Sequence, residues 1–140
     1  MTQVVWAAQK DKFTSVSRQF SRWTEQVLGA KFQKYCPEQA WIPSVNLCEH
    51  DSYYCLIVEL SGMSAPAEQI DLRVEGGVLI LSGDRPPPEP REKDGLVGLH
   101  LMEIDHGRFF RALELPDDVD KDGIEAEYRS GYLWVKMPKK

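Results

Sequence analysis

Residues 70–81 read Ile-Asp-Leu-Arg-Val-Glu-Gly-Gly-Val-Leu-Ile-Leu. Apolar and polar residues alternate over the first six positions, which is the period of a strand with one buried face. The Gly76-Gly77 pair supplies the positive φ angles that a tight hairpin turn requires. The apolar run at 78–81 predicts the returning strand. This stretch therefore predicts a β-hairpin and places the chain among β proteins.

The period of two continues on both sides of this hairpin. Ser82-Gly83 is predicted to end the returning strand, and residues 53–60 predict a strand buried largely on both faces. Three further strands are predicted at 109–115, 124–128 and 132–137. Short strands about ten residues apart, separated by turn residues and without crossover helices, are typical of an all-β sandwich.

The first 40 residues have a different pattern. Apolar side chains recur at steps of three and four residues, which predicts one apolar stripe on a helix over residues 10–35. Cys36-Pro37 is predicted to end this helix, because the residue before a proline avoids helical geometry. The stripe consists of Phe13, Val16, Phe20, Trp23 and Val27, with Trp6 and Phe32 as further aromatics of the arm.

Charge divides the chain at the same place. Residues 1–40 carry six basic and three acidic residues, and they hold six of the fourteen aromatic residues. Residues 41–140 carry 11 basic and 19 acidic residues, within a total net charge of −5. A nucleic-acid partner is not expected on this balance. We predict an aromatic, mildly basic arm (1–40), an acidic body (41–138) and a short tail (139–140).

Apolar runs and cysteines bound the location of the protein. The longest solid aliphatic run covers residues 78–81, far short of a membrane span. The first residues lack the basic region and the apolar stretch of a signal peptide. Three cysteines without short paired spacing argue against a disulfide framework, so a reducing cytoplasm is expected.

No arrangement of residues predicts catalysis. The chain has no glycine-rich nucleotide cradle and no nucleophile elbow. Cys48, Glu49, His50 and Asp51 are of metal-ligating types, but they fall where a hairpin turn is expected. Asp118, Asp120 and Asp122 resemble half of a calcium loop, whose twelfth position is here the cation Arg129. We expect no metal, no cofactor and no enzyme.

Cys48 and Cys55 flank the predicted hairpin turn. They are predicted to face each other across it, as two small buried thiols or, less favoured, as a regulatory disulfide.

Several motifs of the body resemble the α-crystallin domain of the small heat-shock proteins. The resemblance runs from Trp41 to Lys139 and begins with Trp41-Ile-Pro and Val45-Asn-Leu-x-Glu. It continues with Val58-Glu-Leu-Ser-Gly, Val78-Leu-Ile-Leu-Ser-Gly-Asp-Arg85 and Gly107-Arg-Phe-Phe-Arg111, and then with Leu115-Pro116. It ends with Ala126-x4-Gly131-x-Leu133 and Pro138-Lys139. The order and spacing of the motifs fit the bacterial and plant branch of the family.

The resemblance implies an immunoglobulin-like β-sandwich that acts as an ATP-independent holdase and binds partly unfolded clients. It also implies a homodimer in which a strand from the segment after Arg85 crosses to the partner's sheet edge. Here the proline-rich residues 86–95 predict an exposed hinge, and residues 96–102 would be the exchanged strand. The implied interface contains Leu96, Val97, Leu99, Leu101 and Arg111, with Glu103 or another nearby acidic residue as the partner of Arg111.

A second implied site is a groove between two strands, which in the family receives an Ile-x-Ile/Val motif of a C-terminal tail. The groove would be lined by Ile70, Leu72, Val74, Ile124, Ala126 and Tyr128. That tail motif does not follow Pro138 in this sequence, so the groove is expected to have no matching plug in this chain. We therefore expect a dimer or small oligomers held together by the arm, with the groove free for clients or another subunit type.

Two other functions remain open at the level of sequence. A co-chaperone or scaffold module would bind folded partner proteins through the same sandwich. Attachment of the arm to an anionic membrane surface is a minority alternative, because the stripe is narrow and three acidic residues accompany it.

Overall fold

The computed structural model describes residues 2–3, 5–6, 40–92 and 94–140. The predicted helix over 10–35 lies outside these residues. The described strands are, in chain order, β1 (Thr2–Gln3), β2 (Val5–Trp6), β3 (Val45–Glu49), β4 (Tyr53–Glu59), β5 (Ile70–Glu75), β6 (Val78–Arg85), β7 (Gly107–Glu114), β8 (Glu125–Arg129) and β9 (Tyr132–Pro138). A short helix, α1 (Pro66–Gln69), precedes β5, and a 3₁₀ turn covers Lys121–Gly123.

The strands form two sheets. One has the order β1-β5-β6-β7 and the other the order β2-β8-β9-β4-β3. All neighbours are antiparallel except β2 and β8, which are parallel. The arrangement confirms the predicted all-β sandwich.

The core lies between the two sheets. Inward-facing side chains of both sheets form one cluster that includes Leu56, Val58, Leu72, Leu81 and Val135, each at most 2% exposed. Burial of this alternating set is the main stabilising term of a sandwich, at about 25 cal/mol per Å² of apolar surface. The alternation that predicted the strands is therefore the alternation that builds the core.

Two short segments cross from one sheet to the other. Trp41 pairs with Phe109 of β7, and a few residues later the chain enters β3 of the opposite sheet. On the other side, β1 pairs with β5 while β2, after a single intervening residue, pairs with β8. Each side of the sandwich is thus bridged by a few residues of extended backbone.

The structure corrects the prediction that Ser82-Gly83 ends the returning strand. Strand β6 continues to Arg85, and Gly83 pairs with Ile70 on one side and Phe109 on the other. A Cβ at Gly83 would overlap the Gln69 carbonyl oxygen and come within 2.6 Å of the Phe109 ring. Gly83 therefore serves a close approach of neighbouring groups rather than a turn.

Candidate functional site

The segment after β6 exposes an unusual amount of apolar surface. We call residues 86–106 the exchange loop. Six of its large apolar side chains are between 53% and 99% exposed: Leu96, Val97, Leu99, Leu101, Met102 and Ile104. The segment 96–102, which the family resemblance predicts as a strand, has no strand pairing with the described part of the chain. Contiguous exposed apolar side chains of this kind mark an interaction surface.

The base of the exchange loop is anchored by a buried arginine. The Arg85 guanidinium donates hydrogen bonds to the Asp105 carbonyl oxygen, one of them from Nε at 2.9 Å, and lies 4.1 Å from the centroid of the Trp41 ring. The Trp41 indole N–H in turn donates to the Gly107 carbonyl oxygen at 3.1 Å. Both ends of the loop are therefore fixed, while its apolar middle stays exposed.

Strand β3 presents a free edge within the described part of the chain. The hydrogen bonds from the His50 N–H to the Tyr53 carbonyl and from the Glu59 N–H to the Ser44 carbonyl set the phase of the β3–β4 ladder. In an antiparallel ladder every second residue bonds across the pair. The backbone groups of Val45, Leu47 and Glu49 therefore point away from β4, at the outer edge of the sheet.

The predicted groove lies on the opposite side of the sandwich. Ile70, Leu72 and Val74 lie on β5, whereas Ile124 precedes β8, and Ala126 and Tyr128 lie on it. Five of the six are buried in the core, and the partly buried Tyr128 donates a hydrogen bond to the Leu60 carbonyl at 2.9 Å. The gap between these two sheet edges is the position of the predicted groove, whose role as a binding site stays a prediction.

The structure differs from the expectation that this gap has no plug within the chain. Thr2 and Gln3 pair with Val74 and Arg73 on β5, and Val5 and Trp6 pair with Glu125 and Ala126 on β8. The backbone of residues 2–3 therefore lies along one edge of the groove, and that of residues 5–6 along the other. Trp6, predicted as part of the helical arm, lies in this strand, whereas Phe13, Val16, Phe20, Trp23, Val27 and Phe32 lie outside the described residues.

Arg111 and Glu103 do not meet in this chain. Arg111 is partly buried on β7, and its Nη1 donates to the Pro43 carbonyl oxygen at 3.3 Å. Glu103 is exposed on the exchange loop. The pairing of Arg111 with an acidic residue of a partner stays a prediction.

A charged row lies on the outer face of β5. Arg73 is 1% exposed and is flanked by two carboxylates, with 3.5 Å from its Nε to the Glu75 Oε1 and 4.0 Å from its Nη1 to the Asp71 Oδ2. Burial raises the pKa of Asp71 to about 6, although the nearby Arg73 charge acts in the opposite direction. Burial also lowers the pKa of Arg73.

The end of the chain is fastened to the β3–β4 hairpin. The Lys139 Nζ lies 2.7 Å from the Glu49 Oε1, and the Lys139 N–H donates to the Ser52 carbonyl. The Lys139 ammonium lowers the pKa of Glu49 through this hydrogen bond and its charge. The contact between Lys139 and Glu49 could not be predicted from the sequence, because these residues are 90 positions apart.

Two findings on the described residues concern metal binding and membrane-spanning helices. No group of three or more His, Cys, Asp or Glu side chains in this part of the chain could hold a metal ion. None of its helices is long and apolar enough to cross a membrane.

Comparisons with known proteins agree on one family. The model of the Hsp20/alpha crystallin family matches residues 46–140. Small heat shock protein C4 of Rickettsia felis is 27% identical over 130 residues, covering 93% of this chain and 77% of that protein. A 19.0 kDa class II heat shock protein of rice (Oryza sativa subsp. japonica) is 40% identical over 90 residues, covering 61% of this chain and about half (49%) of the rice protein.

A solved structure gives the same result for the fold. The hspA of Xanthomonas axonopodis superimposes with a TM-score of 0.59 at 30% identity, covering 71% of this chain and 95% of that one. The family match spans more than half of the chain and includes both sheet edges of the groove as well as the exchange loop. The chain therefore belongs to the Hsp20/alpha crystallin family of small heat shock proteins, a family of non-enzymatic proteins whose members are generally holdase chaperones.

Proposed function

We propose that this protein is an ATP-independent holdase that binds partly unfolded clients and prevents their aggregation. The observation that carries the proposal is the match of residues 46–140 to the Hsp20/alpha crystallin family, and the exposed apolar surface of residues 96–104 supports contacts with other polypeptides. Such surface has no intramolecular role in the described chain and is suited to other polypeptides. A cytoplasmic location stays a prediction.

The resting form that we propose is a homodimer made by strand exchange. The segment 96–102 carries apolar side chains at the alternate positions 97, 99 and 101 and has no partner strand among the described residues, while β3 offers outward-pointing backbone groups. When the segment 96–102 of one subunit adds as a strand to β3 of a neighbouring subunit, the backbone hydrogen-bonding groups of both strands gain partners, as in β-augmentation. Two such exchanges related by a two-fold axis close the assembly and remove two sheet edges.

We assign client capture to the stripe of the arm. Aromatic side chains bury about 150–250 Å² each, so a few of them supply several kcal/mol of gross interaction with apolar client surface. Phe20 and Trp23 are central in the stripe. Contacts between stripes of different subunits would support small oligomers and compete with contacts to clients.

The test is a light-scattering assay of a heat-denatured client enzyme without ATP. The full chain is expected to suppress aggregation at near-equimolar subunit ratio. The double variant Phe20→Ser/Trp23→Ser should lose most of this suppression, whereas the double variant Arg18→Ser/Glu25→Ser, on the opposite face of the predicted helix, should retain it. Circular dichroism checks that each variant keeps the sandwich.

Two outcomes would contradict these assignments. Full suppression by a chain that lacks residues 1–35 would remove the role of the arm. No protection by the full chain, together with a stoichiometric complex with a folded protein, would replace the holdase by the scaffold function.

A further inference from the structure

Two cysteines face each other across the β3–β4 hairpin. Cys48 of β3 is paired directly with Cys55 of β4, and both are free thiols. Their side chains lie on the outer face of the five-stranded sheet, because the neighbouring Leu56 points into the core. The prediction that both thiols are buried is wrong, because Cys48 is exposed on the edge strand and Cys55 is only partly buried.

The hydrogen-bond phase of the ladder fixes the spacing of this pair. The His50–Tyr53 and Ser44–Glu59 pairs are hydrogen-bonded, and Cys48–Cys55 has the same parity. Opposed residues of such a pair have Cα atoms about 5.5 Å apart, which lies within the range of about 4.4–6.8 Å that a disulfide spans. Only a slight approach of the two strands is needed to bring the two sulfur atoms into bonding distance.

The surroundings of the two thiols differ. Cys48 lies on the edge strand with its side chain open to solvent, whereas Cys55 lies between Cys48 and Lys136 of β9. Burial raises the pKa of Cys55, and the charge of a Cys48 thiolate raises it further. Cys48 is therefore the thiol that a dissolved oxidant meets first.

We propose that Cys48 and Cys55 form an oxidation site that a hydroperoxide converts into a cross-strand disulfide. The Cys48 thiolate attacks one peroxide oxygen, so that an S–O bond forms, the O–O bond breaks, and the leaving oxygen takes a proton. The Cys55 sulfur then attacks the Cys48 sulfenic acid, the S–S bond forms, and the hydroxyl leaves as water. With hydrogen peroxide, two thiols give one disulfide and two waters, and the two sulfur atoms supply the two electrons.

The bridge is expected to be easily reduced. The Cβ atoms of opposed strand residues lie about 4.5–5.5 Å apart, closest in pairs that are not hydrogen-bonded, whereas a disulfide favours about 3.8 Å. The two strands must therefore move together slightly, and exposed or strained disulfides are the labile ones. Its structural effect is to fix the edge strand β3 onto β4.

The experiment uses the full chain carrying Cys36→Ser, so that Cys48 and Cys55 are the remaining cysteines. After treatment with hydrogen peroxide, intact mass should show the loss of two hydrogens in a monomeric chain, with both thiols protected from alkylation. Cleavage after Glu49 should leave the two halves of the hairpin linked. A severalfold excess of glutathione should restore both thiols.

Hydrogen exchange supplies a readout of the structural effect. The amides of Asn46 and Cys48 should exchange severalfold more slowly in the oxidised chain than in the reduced one, because pinning the edge suppresses its local opening. In the variant Cys55→Ser, which is the matched control, peroxide should leave Cys48 as a sulfenic or more oxidised acid and exchange should be unchanged.

Three results would overturn the proposal. One is a Cys48 sulfinic acid accumulating while Cys55 stays open to alkylation. Another is a disulfide-linked pair of chains on a non-reducing gel as the main product. The third is a bridge that forms but leaves the exchange of β3 unaltered. None of these readouts depends on client binding, so they are independent of the holdase proposal.

Discussion

At the scale of single residues, Gly83 shows how one absent side chain holds three strands in place. It lies in the middle strand of β5-β6-β7, between Ile70 and Phe109. The space that a Cβ would need is occupied by the Gln69 carbonyl oxygen and the Phe109 ring. Backbone atoms cannot rotate away as a flexible side chain can, so even one methyl group must push the strands apart.

We expect Gly83→Ala to lower the free energy of unfolding by about 1–3 kcal/mol, the usual cost of overpacking a close-packed site. Urea unfolding followed by circular dichroism measures the change. Gly98→Ala is the matched control, because a Cβ at Gly98 meets no atom within 4 Å. Equal stability of the two variants would show that the Gln69–Phe109 approach is not tight in solution.

The partly buried carboxyl group of Asp71 makes the stability of the folded chain depend on pH. Its pKa is raised by burial from 3.8 to about 6 in the folded chain. Between these values the folded state binds a proton that the unfolded state has released. The resulting stabilisation is complete below about pH 4 and is lost as the pH rises through 6.

Asp71→Asn removes this titration. The stability of the native chain minus that of the variant should therefore fall between pH 4 and 7, by less than about 3 kcal/mol, since Asp71 is not fully buried. Urea midpoints across this range measure the difference. The exposed Asp94→Asn serves as the control and should leave the pH profile of the native chain unchanged. A flat difference for Asp71→Asn would show that Asp71 ionises normally.

At the scale of elements, a strand was predictable from the sequence when residues close together in the chain determine it. The β5–β6 hairpin was predictable because alternation and Gly76-Gly77 are local signals. The end of β6 was predicted wrongly because the glycine at position 83 makes room for Phe109, which lies far along the chain. Strands β1 and β2 were missed because two residues have no period. For the site, the groove residues were predicted through the family resemblance. The segment that pairs with the groove edges was not predicted, because that pairing joins residues far apart in the chain.

The edge of β3 gives a prediction at this scale. The N–H of Leu47 points away from β4, so Leu47→Pro removes a donor from the free edge and none from the β3–β4 ladder. In a two-fold dimer the change acts twice, and one backbone hydrogen bond is worth about 1 kcal/mol. Dimer affinity should therefore fall by about tenfold to a hundredfold.

Sedimentation equilibrium measures this affinity. The control is Leu47→Ala, which removes the side chain but keeps the N–H, and it should weaken the dimer much less. A Leu47→Pro chain that dimerises like Leu47→Ala would place the subunit interface elsewhere than the edge of β3.

At the scale of the whole molecule, the two open sides of the sandwich are closed in different ways. Residues 41–45 close one side as part of the continuous body, with Trp41 held by hydrogen bonds and by Arg85. Residues 2–3 and 5–6 close the other side, and more than thirty residues of the arm separate them from the body in the sequence. A closure tethered in this way can be displaced without unfolding the sandwich, because the core does not depend on it.

We therefore expect the groove between β5 and β8 to bind an added extended peptide once residues 2–6 are removed. The probe is a fluorescent peptide with the sequence of residues 2–6, Thr-Gln-Val-Val-Trp, followed by anisotropy. A chain that lacks residues 2–6 should bind it at least about tenfold more tightly than the full chain, because a tethered competitor acts at millimolar effective concentration. A chain lacking residues 8–12 tests for the mere loss of five residues and should bind like the full chain. A scrambled peptide should bind neither chain. If the full chain and the chain lacking residues 2–6 bind the native peptide equally well, residues 2–6 do not occupy the groove in solution.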